Sequence, residues 1–316
     1  MSSADLKTDL SPPPGSSFTG YALILVAVTF WGGSASLAKY LFASNPKIET
    51  LIISQTRSSF SFLLLVLYFA LVDRSAFRIE RKDVFKFAVL GVFGIAVTNF
   101  AYYFTVQEST VATAILIQYT APVLVMVYSV FVSGEEELQG IKVLSLVLAL
   151  AGCYLAVSGG SVTQIQLSGW VLVTGIASSV CFAFLLIASK RILRKYSTWT
   201  MLIYAFGFAG LFWLFVNPPW KVLAQEYTAS DWGILWLFAI VSILIPHSVF
   251  TVSLRILEAS TASIVSTLEP VIAIIIAYFA LGEVLNGVQI IGAAAVVAAV
   301  VLLQVKPKRL PRPLGS

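Results

Sequence analysis

Charge is what this sequence has least of. Only 11% of its 316 residues are Asp, Glu, Lys or Arg, against roughly 25% in ordinary soluble domains. So few ionic groups cannot cover the surface of a water-soluble globule of this length, and that class is excluded. Cysteine is scarce as well. Cys153 and Cys181 both lie in apolar runs without metal or redox spacing, and they read as buried structural thiols. One histidine, His247, has no partners for a metal site. No aspartate falls deep in an apolar run and no Walker pattern occurs. These absences argue against a membrane-embedded enzyme, a resident metal or cofactor, and an ATP-driven pump.

What remains is 59% hydrophobic, gathered in runs of about 20 residues that match the ~30 Å hydrocarbon core at ~1.5 Å per helical residue. The expected fold is all-α, a polytopic membrane protein with ten transmembrane helices. The spans fall near 19–40, 50–72, 84–105, 111–132, 138–158, 169–189, 198–216, 232–253, 260–281 and 285–304. Residues 1–18 read as a polar, proline-rich, disordered tail, and 305–316 as a basic tail. The first apolar run is too long for a cleavable leader and has no small-residue cleavage site behind it. The short junctions "QEST" and "LGEVLNG" require antiparallel hairpins.

Lysine and arginine set the orientation. With the N-terminus in the cytoplasm, sixteen basic residues fall in inside segments. Three, Lys39, Lys47 and Lys221, fall outside, and Arg57 lies within a span. That bias predicts both termini cytoplasmic. The basic residues flank apolar spans, so the expected partner is the lipid bilayer and not nucleic acid.

The stretch "STLEPVIAIIIAYFALGE" places Glu269 directly before Pro270 in a run otherwise fit for lipid. A charge there costs about 2.5–3.5 kcal/mol even on the lenient insertion scale, and the proline removes a backbone donor. The pattern has a counterpart 148 residues upstream, where Pro122, Gly134 and Glu135 match Pro270, Gly282 and Glu283. "GYALILVAVTF" from Gly20 likewise resembles "GWVLVTGIASS" from Gly169. The chain therefore divides into two five-helix repeats, 19–158 and 169–304. Five is odd, so the second repeat enters the membrane from the opposite side, the recurrent plan of secondary transporters.

The ten spans, the doubled Pro-x11-Gly-Glu signature, "FWGGS", "QTRSSFSFLLL" with Arg57, and "LEPV" together resemble the drug/metabolite transporter superfamily, EamA-type branch. The likeness runs from Gly20 to Gln304 and is nearest in overall character to bacterial aromatic amino-acid exporters. It implies a small-molecule substrate exported across a bacterial cytoplasmic membrane, through a cavity lined by spans 1, 3, 4, 6, 8 and 9. The chain departs from its own symmetry at Ala121, the first-half equivalent of Glu269.

Helical spacing sorts the polar residues within the spans. Ala262, Ser266, Glu269 and Ala273 share a stripe, and Gln118 lies on the matching stripe of span 4. Span 3 offers Asn99, Tyr102 and Tyr103, an amide and two phenols suited to an amino acid's polar ends and side chain. His247 follows Pro246 and stands 148 positions after Asn99. Trp31 and Phe182 are candidate wall residues. The expected substrate site is therefore Trp31, Asn99, Tyr102, Tyr103, Gln118, Phe182, His247, Ser266 and Glu269, with helix breaks at Pro122, Pro246 and Pro270. Packing explains the aromatic members nearly as well.

Arg57 reads as paired with a carbonyl or snorkelling outward, with a substrate carboxylate as the alternative. Glu135 and Glu283 read as complements to the starts of spans 5 and 10. The small-residue rows Ser145, Ala149, Gly152, Ala156 and Ala294, Ala298 suit close helix packing in a monomer or a homodimer. A nucleotide-sugar or nucleoside carrier would need more cations facing the cavity. A channel shares the composition, although the inverted repeat favours alternating access.

Overall fold

The computed structural model describes residues 16–161, 168–281 and 285–304. Among these residues ten helices are long and apolar enough to cross a membrane: Phe18–Ser44, Thr50–Val72, Arg81–Glu108, Val111–Val132, Gly140–Ser158, Gly169–Ile192, Thr198–Val216, Ala229–Ile256, Ala259–Ile276 and Gly287–Gln304. No strand occurs among the described residues. The third and eighth helices extend three residues beyond the expected span at each end. Polar capping groups explain where several helices begin. Thr110, Ser168, Ser197 and Thr228 each accept a backbone N–H from three residues on, satisfying donors that a helix start leaves open. The fifth helix stops at Gly159, whose φ of 58° is left-handed and free of strain only in glycine.

Pairing between helices positions the centre. The first helix packs on the eighth and ninth, and the sixth on the third and fourth. The second packs on the seventh, and the fifth on the tenth. Exchanging first for sixth, second for seventh, and so on through tenth returns the same set of pairs. Local irregularities recur in the same way. The fourth helix begins with Val111–Gln118 and the ninth with Ala259–Ser266, both eight residues and 148 positions apart. Wide π-type turns at Leu90–Val97 and Ile240–Leu244 precede Asn99 and His247. Such turns seldom persist without a local purpose.

Two of the three prolines occupy the one place where a helix accepts them cheaply. Pro122 and Pro270 fall in the first turn of Ala121–Val127 and Leu268–Leu281, where a backbone N–H would lack an intrahelical partner anyway. Pro246 does not break its helix as expected but lies inside the continuous Ala229–Ile256. There its missing N–H leaves the carbonyl four residues back, that of Ser242, without its helical donor. Glu269 shares the first turn of Leu268–Leu281, so its carboxylate also meets the positive end of a half-helix. The costly pair in the sequence is a helix start buried inside the membrane.

The fifth and tenth helices cross at backbone contact. A Cβ on Gly292 would sit 2.2 Å from the Ala156 nitrogen, and one on Gly152 would sit 2.8 Å from the Gly292 carbonyl oxygen. On the fifth helix Ser145, Ala149, Gly152 and Ala156 are buried as expected. The tenth helix uses Gly292, Val296 and Ala299 instead, while Ala294 and Ala298 face outward. The helical phase is set by the glycine, not by the alanines. Glu135 also differs from expectation. It pairs with Arg194 at 2.9 Å and Arg191 at 3.3 Å, tying the fourth–fifth junction to the end of the sixth helix. Glu283 lies outside the described residues.

Candidate functional site

The first, second, third, fourth, sixth, eighth and ninth helices converge on one internal cavity. Trp31 and Ser34 come from the first helix and Arg57 from the second. The third supplies Thr98, Asn99, Tyr102 and Tyr103, the fourth Gln118 and Tyr119, and the sixth Phe182 and Leu185. His247 and Glu269 complete it. Glu269 lies ten residues into the ninth helix, or about 15 Å at the helical rise, half the hydrocarbon thickness. The cavity has a volume of about 50 Å³. That is room for a few waters and less than a molecule of amino-acid size fills.

Arg57 is 1% exposed and fixed on two sides. Its Nη1 donates to Asn99 Oδ1 at 3.0 Å and its Nη2 to the Ser242 carbonyl at 2.6 Å. Its guanidinium carbon stands 4.6 Å from the Tyr103 ring centroid and 5.4 Å from that of Phe238, within cation–π range. The π-type turn before His247 contains Ser242, so the irregular backbone presents the carbonyl that Arg57 uses. Opposite in charge, Glu269 is 6% exposed. The Tyr119 hydroxyl lies 2.7 Å from its Oε2 and 2.8 Å from the Ser266 carbonyl oxygen. No ion pair joins Arg57 to Glu269 among the described residues. Three buried polar atoms on the wall find no protein partner: Arg57 Nε, Tyr102 Oη and His247 Nδ1.

An aromatic wall faces these groups. The Trp31 ring meets His247 edge-on at 5.3 Å, Phe182 at 6.4 Å and Phe250 at 5.1 Å between centroids. The cavity thus offers a cation, a carboxylate, several neutral hydrogen-bonding groups and an apolar side.

Eight of the nine expected residues border this cavity: Trp31, Asn99, Tyr102, Tyr103, Gln118, Phe182, His247 and Glu269. Ser266 does not. Its hydroxyl donates to the Ser263 carbonyl within its own helix, and it contributes to the centre only the carbonyl that Tyr119 contacts. Helical spacing missed Tyr119 and left Arg57 outside the expected set. Tyr119 ends the first segment of the fourth helix, where a helical wheel assigns no face.

Two lysines brace the bundle at its ends. Lys39, late in the first helix, donates to the carbonyls of Val106, Gln107 and Ser109 at 2.7, 3.2 and 2.7 Å, where the third helix finishes. Lys190, late in the sixth, donates to those of Leu254 and Leu257, both at 2.6 Å, where the eighth finishes. Each cation meets the negative end of a helix. Successive crossings put these two ends on opposite faces.

Ten membrane-crossing helices around one polar midplane cavity define a membrane transporter. The chain belongs to the EamA-like transporter family, whose model matches residues 18–158 and again 169–305. It is 25% identical to the uncharacterized inner membrane transporter YicL of Salmonella typhimurium, over 94% of this chain and 99% of that one. It is also 25% identical to the threonine/homoserine exporter RhtA of Escherichia coli, over 88% of both. An uncharacterized transporter of Archaeoglobus fulgidus is 29% identical over 89% of this chain and 94% of its own. A solved crystal structure superposes with a TM-score of 0.69 at 17% identity, over 92% of this chain and 96% of the other, and shows a shared fold.

Proposed function

We propose that this protein is a secondary carrier that exports neutral amino acids across a bacterial inner membrane by alternating access, with both termini in the cytoplasm. The observation that carries this reading is the pair of buried opposite charges, Arg57 and Glu269, bordering one cavity without pairing to each other. Buried ionisable groups are expensive and usually functional. An amino acid brings a carboxylate for the guanidinium, whose Nε is unpartnered, and an ammonium for Glu269. Its side chain then lies against Trp31 and Phe182.

The similarity to a threonine/homoserine exporter supports the same substrate class. The narrow cavity favours small side chains, while the aromatic wall leaves a route to larger ones if helices separate. A nucleotide-sugar carrier is the weaker reading, because Arg57 is the one Lys or Arg among the cavity residues and a diphosphate needs more compensation. The π-type turns and the segment breaks at Tyr119 and Thr267 are natural places for the two halves to bend.

Counterflow in proteoliposomes tests the reading directly, with labelled threonine, homoserine, phenylalanine, tryptophan, a nucleoside and a sugar. Exchange of at least one amino acid, competed by others, is the expected result. Exchange of only the nucleoside or sugar overturns it.

A further inference from the structure

A wide apolar groove runs along the outer side of the sixth helix, turned away from the central cavity. Val180, Ala183, Phe184, Ile187 and Ala188 line it, with Val89 and Leu124 from the third and fourth helices beside them. The groove has a volume of about 680 Å³. From Val180 to Ile192 the helix rises about 18 Å, close to the depth of one leaflet of a ~30 Å core.

The groove's mouth is basic. Lys86, Arg191 and Lys195 stand there with one carboxylate, Asp83. The Asp83 side chain is 2% exposed and already held by Lys86 at 2.7 Å and Lys195 at 2.6 Å. Hydrogen bonds to Asp83 and Glu80 hold the Lys195 ammonium above its ordinary range. Arg191 is the least committed of the three. Its 3.3 Å contact is to Glu135, which Arg194 holds more closely at 2.9 Å, and its guanidinium carbon sits 5.1 Å from the Tyr128 ring centroid. With their ion-pair partners counted, Lys82, Lys86, Arg191, Arg194 and Lys195 face Glu80, Asp83 and Glu135, which leaves a surplus of positive charge at the end of an acyl-sized trough.

We infer that this groove binds an anionic phospholipid, with one acyl chain along the sixth helix between Val180 and Ile192 and the phosphate held by Arg191, Lys86 and Lys195. A guanidinium fork matches phosphate geometry, and the two ammonium groups add point charges. A zwitterionic lipid can fill the same trough, but it brings its own cation to a mouth that already carries an excess. Basic pockets between membrane helices select anionic headgroups on this principle. The inference concerns a lipid-facing site and does not depend on which substrate the central cavity takes.

Native mass spectrometry of the full-length protein tests it, after equilibration with equal amounts of phosphatidylglycerol and phosphatidylcholine carrying the same acyl chains. The wild-type protein retains phosphatidylglycerol preferentially. Arg191→Gln and Lys86→Gln each lower that retention about fivefold, and Ala188→Trp, which fills the trough, displaces both lipids. Lys195 is left intact because it ties Asp83 and Glu80. Equal retention of the two lipids by the wild type overturns the proposal. So does an unchanged preference in a folded Arg191→Gln/Lys86→Gln double variant, or full phosphatidylglycerol retention in Ala188→Trp.

Discussion

The Tyr119 hydroxyl reaches both Glu269 Oε2 and the Ser266 carbonyl, so a residue at the break in the fourth helix is fastened to the break in the ninth. A phenol has one proton and donates to one of these oxygens at a time. The carboxylate, when protonated, can return a proton to the phenol oxygen. Tyr119→Phe removes this exchange and leaves a buried acceptor short of a partner. Unfolding measurements should find a stability loss of about 1–3 kcal/mol. An unchanged midpoint would mean that water replaces the phenol without cost.

Glu269→Gln keeps the shape of the side chain and removes its charge. If Glu269 meets the substrate's ammonium, the folded variant should lose discrimination between an amino acid and its deaminated analogue in competition assays. Discrimination equal to that of the wild type would assign Glu269 to packing.

Arg57→Gln tests the other end of the substrate. Hydrogen bonds to charged groups contribute about 1.5–3 kcal/mol, so amino-acid affinity should fall roughly tenfold to a hundredfold. The corresponding amino-acid amide, which has no carboxylate, should lose much less. Parallel losses for acid and amide would show that Arg57 only holds Asn99 and Ser242. Asn99→Ala, which frees the guanidinium from one anchor, should weaken every amino acid regardless of side chain.

Gly292→Ala places a methyl group against the Ala156 backbone, where no flexible side chain can yield. Overpacking of this kind costs typically 1–3 kcal/mol. The loss should appear in thermal unfolding, with transport per folded molecule retained, because neither fifth nor tenth helix borders the cavity. Ala294→Val, on the outward face, should be near neutral.

The orientation has its own test. A cysteine introduced at Arg78, in the junction between the second and third helices, should escape membrane-impermeant thiol reagents applied to whole cells. Efficient labelling there would reverse the assignment.

Hydropathy made the ten helices legible because length and apolarity alone identify a span. It located the prolines but not the breaks, which fall before them at Tyr119 and Thr267. A helical wheel drawn through such a break carries the wrong phase, which is why it sets Ser266 beside Glu269 on the cavity wall. Tyr119 was invisible for the same reason. Arg57 showed a different difficulty: sequence sets a carbonyl anchor against a cavity role, and the folded side chain has both. The symmetry of Asn99 and His247 was readable from their spacing. The π-type turns ahead of them are not, since the spacing of apolar residues does not register one extra residue in a turn.

Lys39 and Lys190 have a consequence for the permeability of the membrane itself. Each rivets a neighbouring helix end on its own face, and in a carrier that alternates as proposed above, parting those helices would mean breaking that lysine's contacts with the carbonyls. The rivets share no hydrogen-bond partner, so releasing one leaves the other fastened. With such a carrier, a cell that loses one lysine would have only the opposite rivet to keep the membrane sealed, and would leak ions and metabolites whenever that one let go.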